Sequence, residues 1–313
     1  MPEFLHKRAD FGDLLRIVAE RDGITPTLVE KDYWIMHCLW GLKAQGFTFE
    51  LKGGTSLSKG FGIIKRFSED IDIRFEPPPE MDVKTGKNHD KDIHIESRRK
   101  FYDWLAAEIN IPDVSVSRAT EYDDERLRNG GIRLTYETKT EELVGVKPGI
   151  LLEIGFDDTT PNTPVDISSW AMEAARASKV DVMDNRALGI LCYNPEFTFV
   201  EKLQTISTKF RKFRETGILP PNFLRHYYDV YCLLDVDAVK KFIGTDKYEE
   251  RKKQRFPKAD ELRIAANPAF QFENAEEVEK LEREYKGTQA LYYAGQPSLA
   301  EIADKIKEYI DRL

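Results

Sequence analysis

The 313 residues are 33% charged and 41% hydrophobic, the balance of a globular protein with room for one large domain or two modest ones. A net charge of −8 argues against broad coating of nucleic acid, and the lack of any run of about 18 apolar residues gives no sign of a transmembrane helix. The opening MPEFLHKRADFGDLL has no signal-peptide apolar block, and Cys38, Cys192 and Cys232 sit far apart in apolar-rich segments, so buried free thiols and a cytoplasmic home are expected, with no zinc motif.

In chain order, Phe11 to Gly23 reads as a helix with Leu14, Leu15 and Val18 inward and Gly23 as terminator. Thr25-Pro26 opens a second helix, carrying Leu28, Val29, Met36, Leu39 and Trp40 and ending near Gly46. Phe47 to Leu51 is a predicted strand, Ser56 to Lys65 a short helix, and Asp70 to Phe75 a strand stopped by three prolines. Met81 to Asp92 reads as a polar loop, Ile95 to Ile109 as a helix, and residues 121–128 as a solvated turn. Strands are expected at Ile132–Glu137, Gly149–Phe156 and Val180–Met183. Beyond Pro195 the pattern is helical: Leu203, Ile206, Phe210 and Phe213 form one stripe, and Leu224, Tyr227, Tyr228 and Tyr231 another. Glu276–Lys286 and a last helix with the capping box Ser298-Leu299-Ala300-Glu301 follow. The class is therefore α+β, with residues 1–190 a mixed core and 191–313 a helical C-terminal domain.

The chemistry concentrates in Leu51–Phe75. Strand side chains alternate, so Asp70 and Asp72 share one face while Ile71 and Ile73 take the other. Two carboxylates on one face repel, and a divalent cation relieves that cost. Just upstream, Gly53, Gly54, Thr55 and Ser56 combine backbone that permits close approach with hydroxyls suited to phosphate oxygens. The order of phosphate cradle and acid pair is what nucleotidyl transfer needs. Taken singly, a Gly-Gly turn or two solvated aspartates would explain either piece.

Glu153 is the lone charge of an apolar strand: a third acid, or an edge-strand residue facing water. Lys202 could hold a triphosphate or could be a snorkelling surface lysine. Asp229 lies one helical turn after Arg225, so an intrahelical pair is its plain explanation, and His226 could be base, ligand or bystander. Two basic runs, Lys209, Arg211, Lys212, Arg214 and Arg251–Lys258, are either solvated helix faces or contacts for a nucleic-acid end.

The segments EKDYW (Glu30–Trp34), KGGTSLSK (Lys52–Lys59), RFSEDIDI (Arg66–Ile73), FVEKL (Phe199–Leu203) and RHYYDVY (Arg225–Tyr231) resemble, in that order, the AbiEii/AbiGii-type nucleotidyltransferase toxins, the group that includes the MenT toxins. The resemblance spans roughly residues 28–235 and implies a DNA-polymerase-β-like core followed by a helical domain. It implies the toxin of a type IV toxin–antitoxin or abortive-infection pair, with an AbiEi-like antitoxin and action against phage. The implied activity moves NMP from NTP, with CTP and GTP the candidates, to the 3′ end of tRNA. By matching position, Ser56 and Lys202 would contact the nucleotide phosphates, Asp70 and Asp72 would hold Mg2+, and Asp229 would support the centre. Glu153 as a third metal ligand rests on the strand argument alone, and Lys209–Arg214 could hold the acceptor backbone. Rival readings are transfer to protein or small-molecule hydroxyls, a metal nuclease, and a GTP- or NTP-binding module without turnover.

Overall fold

The computed structural model describes residues 2–86, 88–141, 143 and 146–313; Lys87, inside the expected 81–92 loop, lies outside the described residues. The chain divides into two compact units: Met1–Gly60 with Ser68–Tyr193, and Phe61–Phe67 with Asn194–Leu313. No helix among the described residues is long and apolar enough to cross a membrane.

In the first unit, α1 (Phe11–Asp22) stops at Gly23, whose φ of 66° is left-handed, and α2 (Pro26–Ala44) takes Pro26 in its first turn, where no N–H is needed. β1 (Phe49–Lys52) runs directly into a helical turn, α3 (Gly53–Thr55), and a π-helical stretch, Ser56–Gly60. The helix expected over Ser56–Lys65 thus ends early. Gly62 at φ 64° is outside helical space, and Phe61–Phe67 belongs to the other unit. β2 (Ile71–Phe75), α4 (Asp92–Glu108), β3 (Ser115–Arg118), β4 (Asn129–Thr135), β5 (Ile150–Gly155), β6 (Asn162–Ile167), α5 (Trp170–Ala177) and β7 (Ala187–Tyr193) complete it.

Val180–Met183, expected as a strand, is not one. The Val180 N–H closes α5 on the Ala175 carbonyl, and the Met183 N–H donates to Glu3, so no ladder forms. The strands of this region are β6 and β7. Among the described residues seven strands form one mixed sheet in the order β3-β4-β5-β2-β1-β7-β6, with β1∥β7 and β2∥β5 parallel and the other neighbours antiparallel. One face is apolar and closed: Leu51, Ile73 and Ile154 lie in one row, Ile71 and Leu152 in the next, all fully buried. Burying side chains of this size contributes roughly 1.5–3 kcal/mol each, which fixes the register and so fixes what the opposite face carries.

The second unit is helical: α6 (Pro195–Thr216), α7 (Arg225–Leu233), α8 (Asp237–Phe242), α9 (Asp246–Arg255), α10 (Ala275–Lys286) and α11 (Leu299–Tyr309). The expected stripe of α6 is buried, and α11 opens with the full reciprocal box between Ser298 and Glu301. Segment 61–67 joins it through a β-bridge from Arg66 to Tyr292 and through the Phe67 N–H, which donates to the Leu291 carbonyl at 2.7 Å. All three cysteines are free thiols; Cys38 and Cys192 are buried, whereas Cys232 is only half-buried.

Candidate active site

The open face of the first unit's sheet carries the predicted acids. On β2, Ile71, Ile73 and Phe75 are buried while Asp72 and Arg74 are half-buried, the alternation expected of a strand with one wet face. Asp72 pairs in register with Lys52 on β1 and with Glu153 on β5, so the three side chains form one row. Because β5 lies inside the sheet, Glu153 is not an edge-strand residue. Gly131 follows in the same row and Gly155 in the row beside it, which keeps this part of the face shallow.

The glycine segment closes on this row. Gly53 has φ 71°, and a Cβ there would stand 2.1 Å from Asp72 Oδ2. Only glycine allows the backbone so near the carboxylate. The buried Thr55 hydroxyl donates to the Asp70 carbonyl at 2.5 Å, tying the turn to the start of β2. The Ser56 hydroxyl, fully buried, donates to the Gly53 carbonyl at 3.0 Å. It braces the turn here, and a phosphate contact would require that hydroxyl to redirect.

Asp70, immediately before β2, is 6% exposed. Its Oδ2 meets the Lys147 ammonium at 2.9 Å, while its buried Oδ1 has no hydrogen-bond partner among the described residues. A buried carboxylate oxygen without a partner is costly unless something binds it, and a hard divalent cation suits it. Among the described residues no three His, Cys, Asp or Glu side chains converge to hold a metal ion. Asp70, Asp72 and Glu153 offer the hard oxygen donors that magnesium takes but do not meet at one point here, and Lys147 is at present the cation on Asp70.

In the second unit Asp229, on α7, is fully buried and saturated. Arg66 donates to it bidentately at 2.7 and 2.8 Å, and Lys202 Nζ lies 2.9 Å from its Oδ2. Arg225 is not its partner, so the intrahelical explanation fails. Lys202 is 7% exposed, so it is no snorkelling surface lysine either. Burial alone would push the Asp229 carboxyl up, but the two cations overcome it and hold it below the usual range. His226, beside Lys209 at 3.2 Å, is driven well below its ordinary value, first by burial and then by Lys202, Lys209, Arg225 and Arg66. The basic run of α6 is mostly spent within its own unit: Arg211 on Asp260 and Glu215, Arg214 on Glu277, while Lys212 is exposed.

Sequence reading missed Lys147, Lys52 and Arg66. Lys52 and Arg66 open the KGGTSLSK and RFSEDIDI segments but were given no role; Lys147 lies in an aperiodic loop with no signal of its own.

No curated protein sequence matches the chain significantly. Among solved structures it is similar to MenT4, a nucleotidyltransferase toxin from Mycobacterium tuberculosis H37Rv, at 13% identity over 95% of this chain and 88% of that one, with a TM-score of 0.57. That likeness is one of fold, and it agrees with the α+β core and helical second part. The model of the nucleotidyl transferase AbiEii toxin family, type IV toxin–antitoxin system, matches residues 39–312. With most of its length matched in this way, and with the glycine turn set against the acid row as nucleotidyl transfer requires, the chain belongs to the AbiEii family of nucleotidyltransferase toxins.

Proposed function

We propose that the chain transfers NMP from an NTP, with CTP and GTP the first candidates, to an RNA acceptor, the tRNA 3′ end, and so blocks translation until an AbiEi-like antitoxin neutralises it. The observation that carries this reading is the contact of Gly53 with Asp72, which sets a phosphate-type turn directly against the acid row. Asp70, through the Oδ1 that has no partner among the described residues, and Asp72 hold magnesium, with Glu153 the third acid beside Asp72. Magnesium bound there supplies the charge that neutralises the reacting phosphate and the leaving pyrophosphate. The Gly53–Ser56 backbone approaches the triphosphate without side-chain obstruction. Lys202 takes the role of phosphate cation, and Asp229, paired with it at 2.9 Å, holds it in place. Of the α6 run, Lys212 is the residue left to meet an acceptor backbone, with Lys209, Arg211 and Arg214 secondary.

The test is purified protein with total tRNA, magnesium and each α-labelled NTP in turn, resolved on a denaturing gel. A labelled tRNA band that disappears in Asp72→Asn is expected, and it names the base. Label on protein instead, shortened RNA, or tight NTP binding with no transfer would each replace the tRNA reading with one of its rivals.

A further inference from the structure

Lys147 is built into the acid face more firmly than its loop position suggests. Its N–H donates to Glu69 Oε2 at 2.8 Å, and its carbonyl accepts from Lys31 Nζ at 2.7 Å. Lys31 and Glu69 are themselves an ion pair at 3.1 Å, with side chains 2% and 3% exposed. A buried pair of this kind is a poor source of stability but a good source of fixed geometry. It pins the main chain of Lys147 from both sides, and the side chain then reaches Asp70 Oδ2 at 2.9 Å. The ammonium also lies 5.3 Å from the centre of the Tyr122 ring, whose other cation is Arg133 at 5.4 Å. Lys31 and Glu69 fall in the EKDYW and RFSEDIDI segments, so two motifs converge on placing one loop lysine.

We propose that Lys147 is the resident counter-ion of Asp70: it neutralises that carboxylate while no divalent cation is bound, and yields it when the cation arrives with nucleotide. The released ammonium is then a cation for the incoming phosphates. This rests on the active-site reading above. The physical case is charge balance. Asp72 and Glu153 share their row with Lys52, whereas Asp70, just before β2, has Lys147 as its cation, and its carboxylate would otherwise be buried without a counter-charge. A tethered lysine neutralises Asp70 and, because it is tethered, returns after each turnover. It also opposes the metal: one positive charge about 6 Å away lowers divalent affinity by on the order of tenfold even at water-like screening.

The experiment is Mn2+ binding to the nucleotide-free protein, followed by electron paramagnetic resonance, for wild type, Lys147→Met, Lys147→Gln and Lys147→Arg. Met and Gln variants should bind Mn2+ about tenfold tighter than wild type, and Arg should match wild type. In NTP titrations the Met and Gln variants should bind nucleotide more weakly, so the two affinities move in opposite directions. A lysine that merely braces the loop would weaken both. Unchanged or weaker Mn2+ binding in whichever of the Met and Gln variants folds would overturn the proposal. The same titration on Asp72→Asn separates the two readings. Lost Mn2+ affinity there with no change at Lys147 removes this inference and keeps the site, whereas no loss at Asp72→Asn removes the site itself.

Discussion

Two aspartates from the chain's matching motifs sit in opposite surroundings. Asp70 lies at the margin of an open sheet face, half-satisfied, with one oxygen on Lys147 and the other unpartnered among the described residues. Asp229 is sealed inside the helical unit with both oxygens taken by Arg66 and Lys202. The same side chain thus serves two ends. A carboxylate with a spare oxygen is held for a ligand, and a carboxylate with none holds its neighbours. Burial does not separate them, since both are largely hidden; the count of committed oxygens does.

The sharpest way to break that contrast is at the open face. Asp72→Asn should cost about a hundredfold or more in transfer rate while moving the unfolding midpoint little, because the removed charge is used on the ligand side. Near-wild-type transfer would place the chemistry elsewhere. Asp229→Ala should act first on stability, with transfer falling as well because Lys202 loses its partner. It strands two buried cations and should cost about 3–5 kcal/mol, read as a drop in denaturant midpoint. A change below about 1 kcal/mol, the range of an exposed pair, would show that Asp229 is not structural. Gly53→Ala falls between, at about 1–3 kcal/mol from its left-handed backbone. It should also lose activity, since its methyl would displace the Asp72 carboxylate.

The smallest effect is in pH. The folded His226 takes up a proton only well below 6.5, whereas the unfolded chain does so near 6.5. Its neutral form therefore contributes stability that is complete above 6.5 and is lost as pH falls below it. The Asp229 contribution has the same sign and fails at lower pH, as its depressed folded value is passed. Thermal unfolding between pH 7 and 5 should show the midpoint falling, and His226→Gln should flatten part of that slope.

The open face was the more legible of the two. Alternation in Asp70–Phe75 is a local signal, and it put Asp72 on the wet side, where Glu153 pairs beside it across β5. The helical stripes of α6 and α7 were equally local. What the sequence hid was long-range. β6 carries Pro164 and received no assignment from the sequence, and Val180–Met183 alternates like a strand but has no ladder to join. Arg66 and Asp229 are 163 residues apart, and no periodicity announces such a pair. Lys147 is placed by Lys31 and Glu69, neither of which is its neighbour in the chain.

Segment 61–67 has a consequence for how such a protein is made and inherited. The chain leaves its first unit at Gly60, contributes Arg66 to the second, and returns at Ser68 before the rest of that second unit exists. On the ribosome this short excursion must wait, exposed, until residues 194–313 have emerged. A fragment cut at Tyr193 would carry Arg66 without Asp229, and its complement would carry Asp229 without Arg66. The two units are therefore stitched, not strung. Gene fusion or recombination that moved residues 1–193 alone would carry an orphaned arginine with it, which favours transmission of the toxin as one indivisible block.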